Sequence, residues 1–100
     1  MAKQRIMVYQ TKDFEALKEA VLALDEKYGT YCNTVGLYRR IGKYCVRVDA
    51  TAEENVLDEM EALLAQYGSF ADLNLTQLIR ESESMVGETG IEYVKGGGVL

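Results

Sequence analysis

The chain has 100 residues, 48% of them hydrophobic, and a formal net charge of −5. That length suits one domain and is too short for two ordinary ones, and it allows a core without disulfides or metals. The acidic balance argues against a general nucleic-acid binder, and no apolar run approaches the ~20 residues of a membrane span.

The opening residues, Met1-Ala2-Lys3-Gln4-Arg5, are polar and carry no signal-peptide pattern, so a cytoplasmic protein with no membrane association is expected. Residues 3–10 alternate around Ile6 and Val8 and predict a first strand with those two in the core. The first helix is expected over 13–28. Its apolar positions Phe14, Leu17, Val21, Leu24 and Tyr28 step by three and four, Asp13 is a candidate cap, and Gly29 stands where a helix C′ glycine belongs.

Residues 30–50 predict a long β-hairpin with a tight turn near Ile41-Gly42-Lys43. Strand parity collects Val35, Leu37, Ile41, Tyr44, Val46 and Val48 on one face, interrupted by Arg39. The other face takes Cys32, Thr34, Tyr38, Arg40, Lys43, Cys45, Arg47 and Asp49. The first face reads as core and the second as open. Thr51-Ala52-Glu53-Glu54 has the form of a capping box and opens a second helix to Tyr67, with Gly68 closing it. Its stripe is Val56, Leu57, Met60, Leu63, Leu64 and Tyr67.

Residues 71–79 admit two readings. A strand, with Leu73 and Leu75 alternating with Asp72, Asn74 and Thr76, is preferred. The alternative is a short helix capped by Ser69 and using Leu75, Leu78 and Ile79. Residues 80–84 read as polar connection, 90–95 as a further strand, and Gly96-Gly97-Gly98 as the start of a flexible tail ending in Val99-Leu100. The order β-α-β-β-α-β predicts an α+β fold, a ferredoxin-like two-layer sandwich with an antiparallel sheet and both helices on one face. Residues 1–84 form the expected domain and 85–100 a C-terminal extension.

There is no histidine, which removes the usual near-neutral base and the commonest metal ligand. The carboxylates of the second helix, Glu53, Glu54, Asp58, Glu59 and Glu61, fall at polar positions and read as a solvated face. Cys32 and Cys45 have no metal-ligand spacing and lie out of register for a disulfide. Cys45 shares its face with Arg40, Lys43 and Arg47, which would lower a thiol pKa, yet no base accompanies it. Gly87-Glu88-Thr89-Gly90 lacks the context of a phosphate loop. No cofactor and no metal are expected.

The strongest site signal is the second sheet face, where Tyr38, Arg40, Lys43 and Arg47 gather. The first strand adds Arg5, Met7 and Tyr9 if Ile6 and Val8 point inward. Tyr9, Tyr38, Arg40, Lys43 and Arg47 are therefore the candidate partner- or ligand-binding residues. Charge is uneven as well: between Arg47 and Arg80 there is no Lys or Arg, while seven acids occur there. A basic hairpin tip beside an acidic helix suits docking to a protein, including a second copy of the chain. The sequence thus points to a non-catalytic interaction or regulatory module that binds a protein partner and forms a homodimer. One alternative is single-stranded nucleic acid stacked on the open face; another is a small-molecule sensor at a dimer interface.

Overall fold

The computed structural model of the protein describes residues 1–40, 42–81, 83–84 and 98–99. It is an α+β domain with a sheet of four antiparallel strands at its centre. The elements in chain order begin β1 (Lys3–Thr11), α1 (Phe14–Tyr28), β2 (Cys32–Arg40), β3 (Lys43–Ala52) and α2 (Glu54–Ala65). A two-residue β4 (Ser69–Phe70), α3 (Leu75–Glu81), β5 (Glu83–Ser84) and β6 (Gly98–Val99) follow. The sheet runs β4-β1-β3-β2-β5, with β6 pairing β2 in parallel.

α1 forms as its stripe dictates. Leu17, Val21 and Leu24 are buried, Phe14 and Tyr28 pack at the margins, and Asp13 Oδ1 accepts from the Glu15 N–H at 3.0 Å. The end of α1 differs from expectation. Gly29 has φ −55°, in the right-handed region, so the chain tightens into a 3-10 turn over Gly29–Tyr31 instead of reversing at a left-handed cap. The hairpin turns between the paired Arg40 and Lys43, and Gly42 takes the positive φ of 72° that such a turn demands. Val35, Leu37, Val46 and Val48 face α1 and α2 as expected, with Tyr44 partly buried beside them. Ile41, assigned to the same face, lies outside the described residues.

Three local expectations fail for identifiable reasons. Thr51 does not cap α2: β3 continues to Ala52 to meet Lys3, the Thr51 hydroxyl accepts from Asn33 Nδ2 at 2.8 Å, and Glu53 becomes the cap residue. Cys32 joins the helix-side core rather than the second face, because a bulge between Cys32 and Thr34 shifts the parity of β2 by one. The preferred strand over 71–79 is also absent. The pairing stops at Phe70 and α3 begins at Leu75, set by a reciprocal cap in which Asn74 Oδ1 accepts from the Gln77 N–H at 2.9 Å and Gln77 Oε1 from the Asn74 N–H at 3.0 Å.

β1 carries the largest correction. Met7 and Tyr9, paired with Val48 and Val46, face α1 and α2, while Val8, paired with Arg47, faces the other way. Met7-Val8-Tyr9 is apolar on both parities because this part of the strand is covered on both sides, as strands of a buried sheet are. Past α2, Gly68 crosses so close to β1 that a Cβ there would sit 2.4 Å from the Gln10 carbonyl oxygen, which only glycine permits. Of residues 80–84, expected as polar connection, Arg80 and Glu81 instead end α3, and Glu83 and Ser84 pair as β5 with Arg39 and Tyr38 of β2. Gly98–Val99, expected within a free tail, pairs with Thr34 and Val35. The strand expected over 90–95 lies outside the described residues.

Candidate functional site

The sheet face away from α1 and α2 is built by alternate residues of β1, β3 and β2. Antiparallel partners share a face, so Gln4, Ile6, Val8 and Gln10 lie in rows with Thr51, Asp49, Arg47 and Cys45. From β2 come Thr34, Gly36, Tyr38 and Arg40. The face is not open. Leu78 of α3 and Ala71 of the preceding segment pack on Val8, Tyr38 and Cys45 to form a second, smaller core, with Leu73 at its edge.

Four of the five candidate residues, Tyr38, Arg40, Lys43 and Arg47, occupy this face. Tyr9 does not: it stands on the opposite face, against α1 and α2, with its ring edge-on to Phe70 at 6.0 Å. The reason is the inverted parity of β1. Arg5, on the same parity as Tyr9, is likewise drawn to α2, where its guanidinium reaches Asp58 at 2.8 Å and Glu61 at 3.0 Å. Lys3 reaches Glu54 at 3.5 Å and the Tyr28 hydroxyl donates to Glu59 at 3.3 Å. The acids of α2, expected as a bare solvated face, thus take cations from β1 across the layer, although exposed pairs of this kind each contribute at most about 1 kcal/mol.

The four that share the face do not form one cluster. Lys43 lies at the end of the sheet, where it lines an open cleft of about 340 Å³ with Gln10, Thr11, Lys12, Gly68 and Ser69. Arg40 sits over Cys45 and reaches Glu81 of α3 at 3.6 Å. Tyr38 and Arg47 are interior. Tyr38 is 5% exposed, and its ring folds back over Gly36, with Cε2 and the hydroxyl 2.7 and 2.9 Å from the place a Cβ would take. Arg47, next to Gly36 across the ladder, is 8% exposed. Burial pushes the Tyr38 pKa up, and the nearby Arg47 charge partly offsets this. Among the described residues, neither the Arg47 guanidinium nor the Tyr38 hydroxyl has a hydrogen-bond or ion-pair partner.

The thiols are equally enclosed. Burial pushes Cys45 up despite the hydrogen bond and charge of Arg40, and pushes Cys32 from 9.0 to about 11. Both are therefore far from the exposed thiolate that nucleophilic cysteines need. Among the described residues no group of three or more Cys, Asp or Glu could hold a metal ion, and no helix is long and apolar enough to cross a membrane.

The outer edge of β1 carries a feature that side-chain patterning could not show. The Ala71 N–H donates to the Val8 carbonyl at 2.9 Å, so Val8 directs its backbone groups away from β3. By alternation Ile6 and Gln4 do the same. β4 pairs only with Tyr9 and Gln10, which leaves the outward N–H and C=O groups of Gln4 and Ile6 with no strand partner among the described residues. Ile6, in the middle of this stretch, is 49% exposed. The opposite edge of the sheet, β2, is met by both β5 and β6.

No protein-family model matches the chain, and no curated protein matches it. Among solved structures, the C-terminal domain of YpbH is similar, with a TM-score of 0.69 and 19% sequence identity over 83% of this chain and 87% of that one. At that identity the likeness carries the fold alone: this chain shares the α+β architecture of that domain.

Proposed function

We propose that this protein is a non-catalytic interaction module that binds a protein partner and self-associates through β1. The observation that carries this reading is the asymmetry of the sheet edges: β2 is met by the chain's own strands, whereas Gln4 and Ile6 offer backbone groups with no strand partner among the described residues, around a half-exposed isoleucine. An open edge of this kind accepts another strand by backbone hydrogen bonding. A second copy running antiparallel about Arg5 places Gln4 opposite Ile6 of its mate, so that each pair exchanges both of its hydrogen bonds. Arg5 does not oppose this, because Asp58 and Glu61 already hold its charge against α2. Each Ile6 leaves water.

The enclosed thiols and the lack of histidine favour binding over catalysis, and free buried cysteines suit a reducing cytoplasm. We read the first four strands with α1 and α2 as a ferredoxin-like unit, supported by the sheet order β4-β1-β3-β2, with α3 and β5 added to its usually bare face. Nucleic-acid stacking has lost its support, since Tyr38 is enclosed and Tyr9 lies on the other face.

Sedimentation at micromolar concentration tests the proposal. A dimer is expected, and Ile6→Pro, which deletes an outward donor without touching the β1–β3 ladder, should yield a folded monomer. A wild-type chain that sediments as a strict monomer, or an unchanged dimer in I6P, sinks it.

A further inference from the structure

We infer that Arg47 and Tyr38 form a receptor for a small oxyanion, a phosphate or carboxylate group, on the sheet face away from α1 and α2. This goes beyond the edge-strand proposal and uses other residues, so either can fail while the other stands.

A guanidinium carries five donors and no acceptor, and it stays charged at any pH a protein survives. Removing it from water without a partner is among the costlier things a fold can do, and buried polar groups are nearly always satisfied. Arg47 is more than nine-tenths buried, yet among the described residues nothing accepts from it. The Tyr38 hydroxyl beside it is equally enclosed and equally unpartnered. Two neighbouring orphaned groups, one cationic fork and one hydroxyl donor, present complementary chemistry to the same guest: oxygen atoms carrying negative charge.

The local backbone makes the pair possible. Gly36 has no side chain, and the Tyr38 ring occupies the space its Cβ would fill, which turns the hydroxyl along β2 toward the row of Arg47. Two carboxylates near this face, Asp49 and Glu81, are engaged elsewhere. Asp49 accepts from Gln4 Nε2 at 3.0 Å and from Asn33 Nδ2 at 3.2 Å, and Glu81 takes Arg40. α3, seven residues long, reaches this face through Leu78, which packs on Val8, Tyr38 and Cys45, and through the Arg40–Glu81 contact.

Thermal unfolding with inorganic phosphate, acetate and citrate at constant ionic strength tests this. A ligand that binds only the folded state raises Tm with its concentration. Phosphate or the carboxylates should do so for the wild type, and which of them acts identifies the source of the oxyanion. Arg47→Met should abolish the shift while leaving the ligand-free protein at least as stable, since an apolar side chain of similar volume removes an unpaired buried charge. Tyr38→Phe should weaken binding, and Arg47→Lys, which keeps charge but loses the fork, should weaken it by about tenfold or more. The proposal is overturned if no probe raises Tm at millimolar concentration, or if the shift survives in R47M. A ligand-free R47M less stable than the wild type also overturns it, because the guanidinium is then satisfied within the chain.

Discussion

On the side of the sheet that carries α1 and α2, seventeen buried residues form one continuous cluster among the described residues, while the side under α3 gathers five. The first cluster is apolar throughout and is closed by two helices of 15 and 12 residues. The second is closed by a helix of seven residues and shares its floor with Arg47, Tyr38 and Arg40. Stability in a domain this small comes mainly from apolar area removed from water, so the first face holds the fold together. The second face is where the chain buries a guanidinium and a phenol hydroxyl. Those are the groups to examine for function.

Truncations on the two faces sharpen that contrast. The largest loss is expected for Leu24→Ala, a fully buried residue at the centre of the α1 stripe. About 3–4 kcal/mol should disappear in chemical denaturation, with one cooperative transition retained. Leu78→Ala should cost less, about 2 kcal/mol, because α3 can relax into the gap. Its signature should be local: Cys45, fully buried in the wild type, should become open to a thiol reagent at neutral pH while Cys32 stays protected. Equal losses at both sites, with Cys45 still shielded, would show that the faces unfold as one unit. The smallest effect belongs to the cap. Asn74→Ala removes the acceptor that starts α3 and should cost about 1 kcal/mol, read out as faster amide exchange confined to 75–81. A uniform change in exchange across the sheet would contradict a separately anchored α3.

Much of the helix side was legible in the sequence. The stripes Leu17-Val21-Leu24 and Leu57-Met60-Leu64 state their helices, and Val46 and Val48 keep the parity that the hairpin assigns them. The errors concentrate where two patterns compete. β1 is apolar on both parities, so alternation could not choose between Ile6 with Val8 and Met7 with Tyr9; cover on both faces holds for Met7, Val8 and Tyr9, while Ile6 stays half-exposed. Leu73 and Leu75 alternate like a strand, yet the reciprocal Asn74–Gln77 cap and Leu78 answer to a helix. The bulge at Cys32 leaves no trace in composition.

By itself, then, the sequence determined the helices, the hairpin and the face on which the main core forms, because helical and strand periodicities are local consequences of backbone geometry. Only the tertiary structure decided that α3 packs on the second sheet face, that Tyr38 and Arg47 are interior, and that Gln4 and Ile6 stand at an edge with no strand partner among the described residues. These depend on which distant segment arrives to cover a strand, and no local period records that. The chemistry at the covered face follows from the same cause: a guanidinium that strand parity alone would leave in water becomes a buried charge in the folded domain.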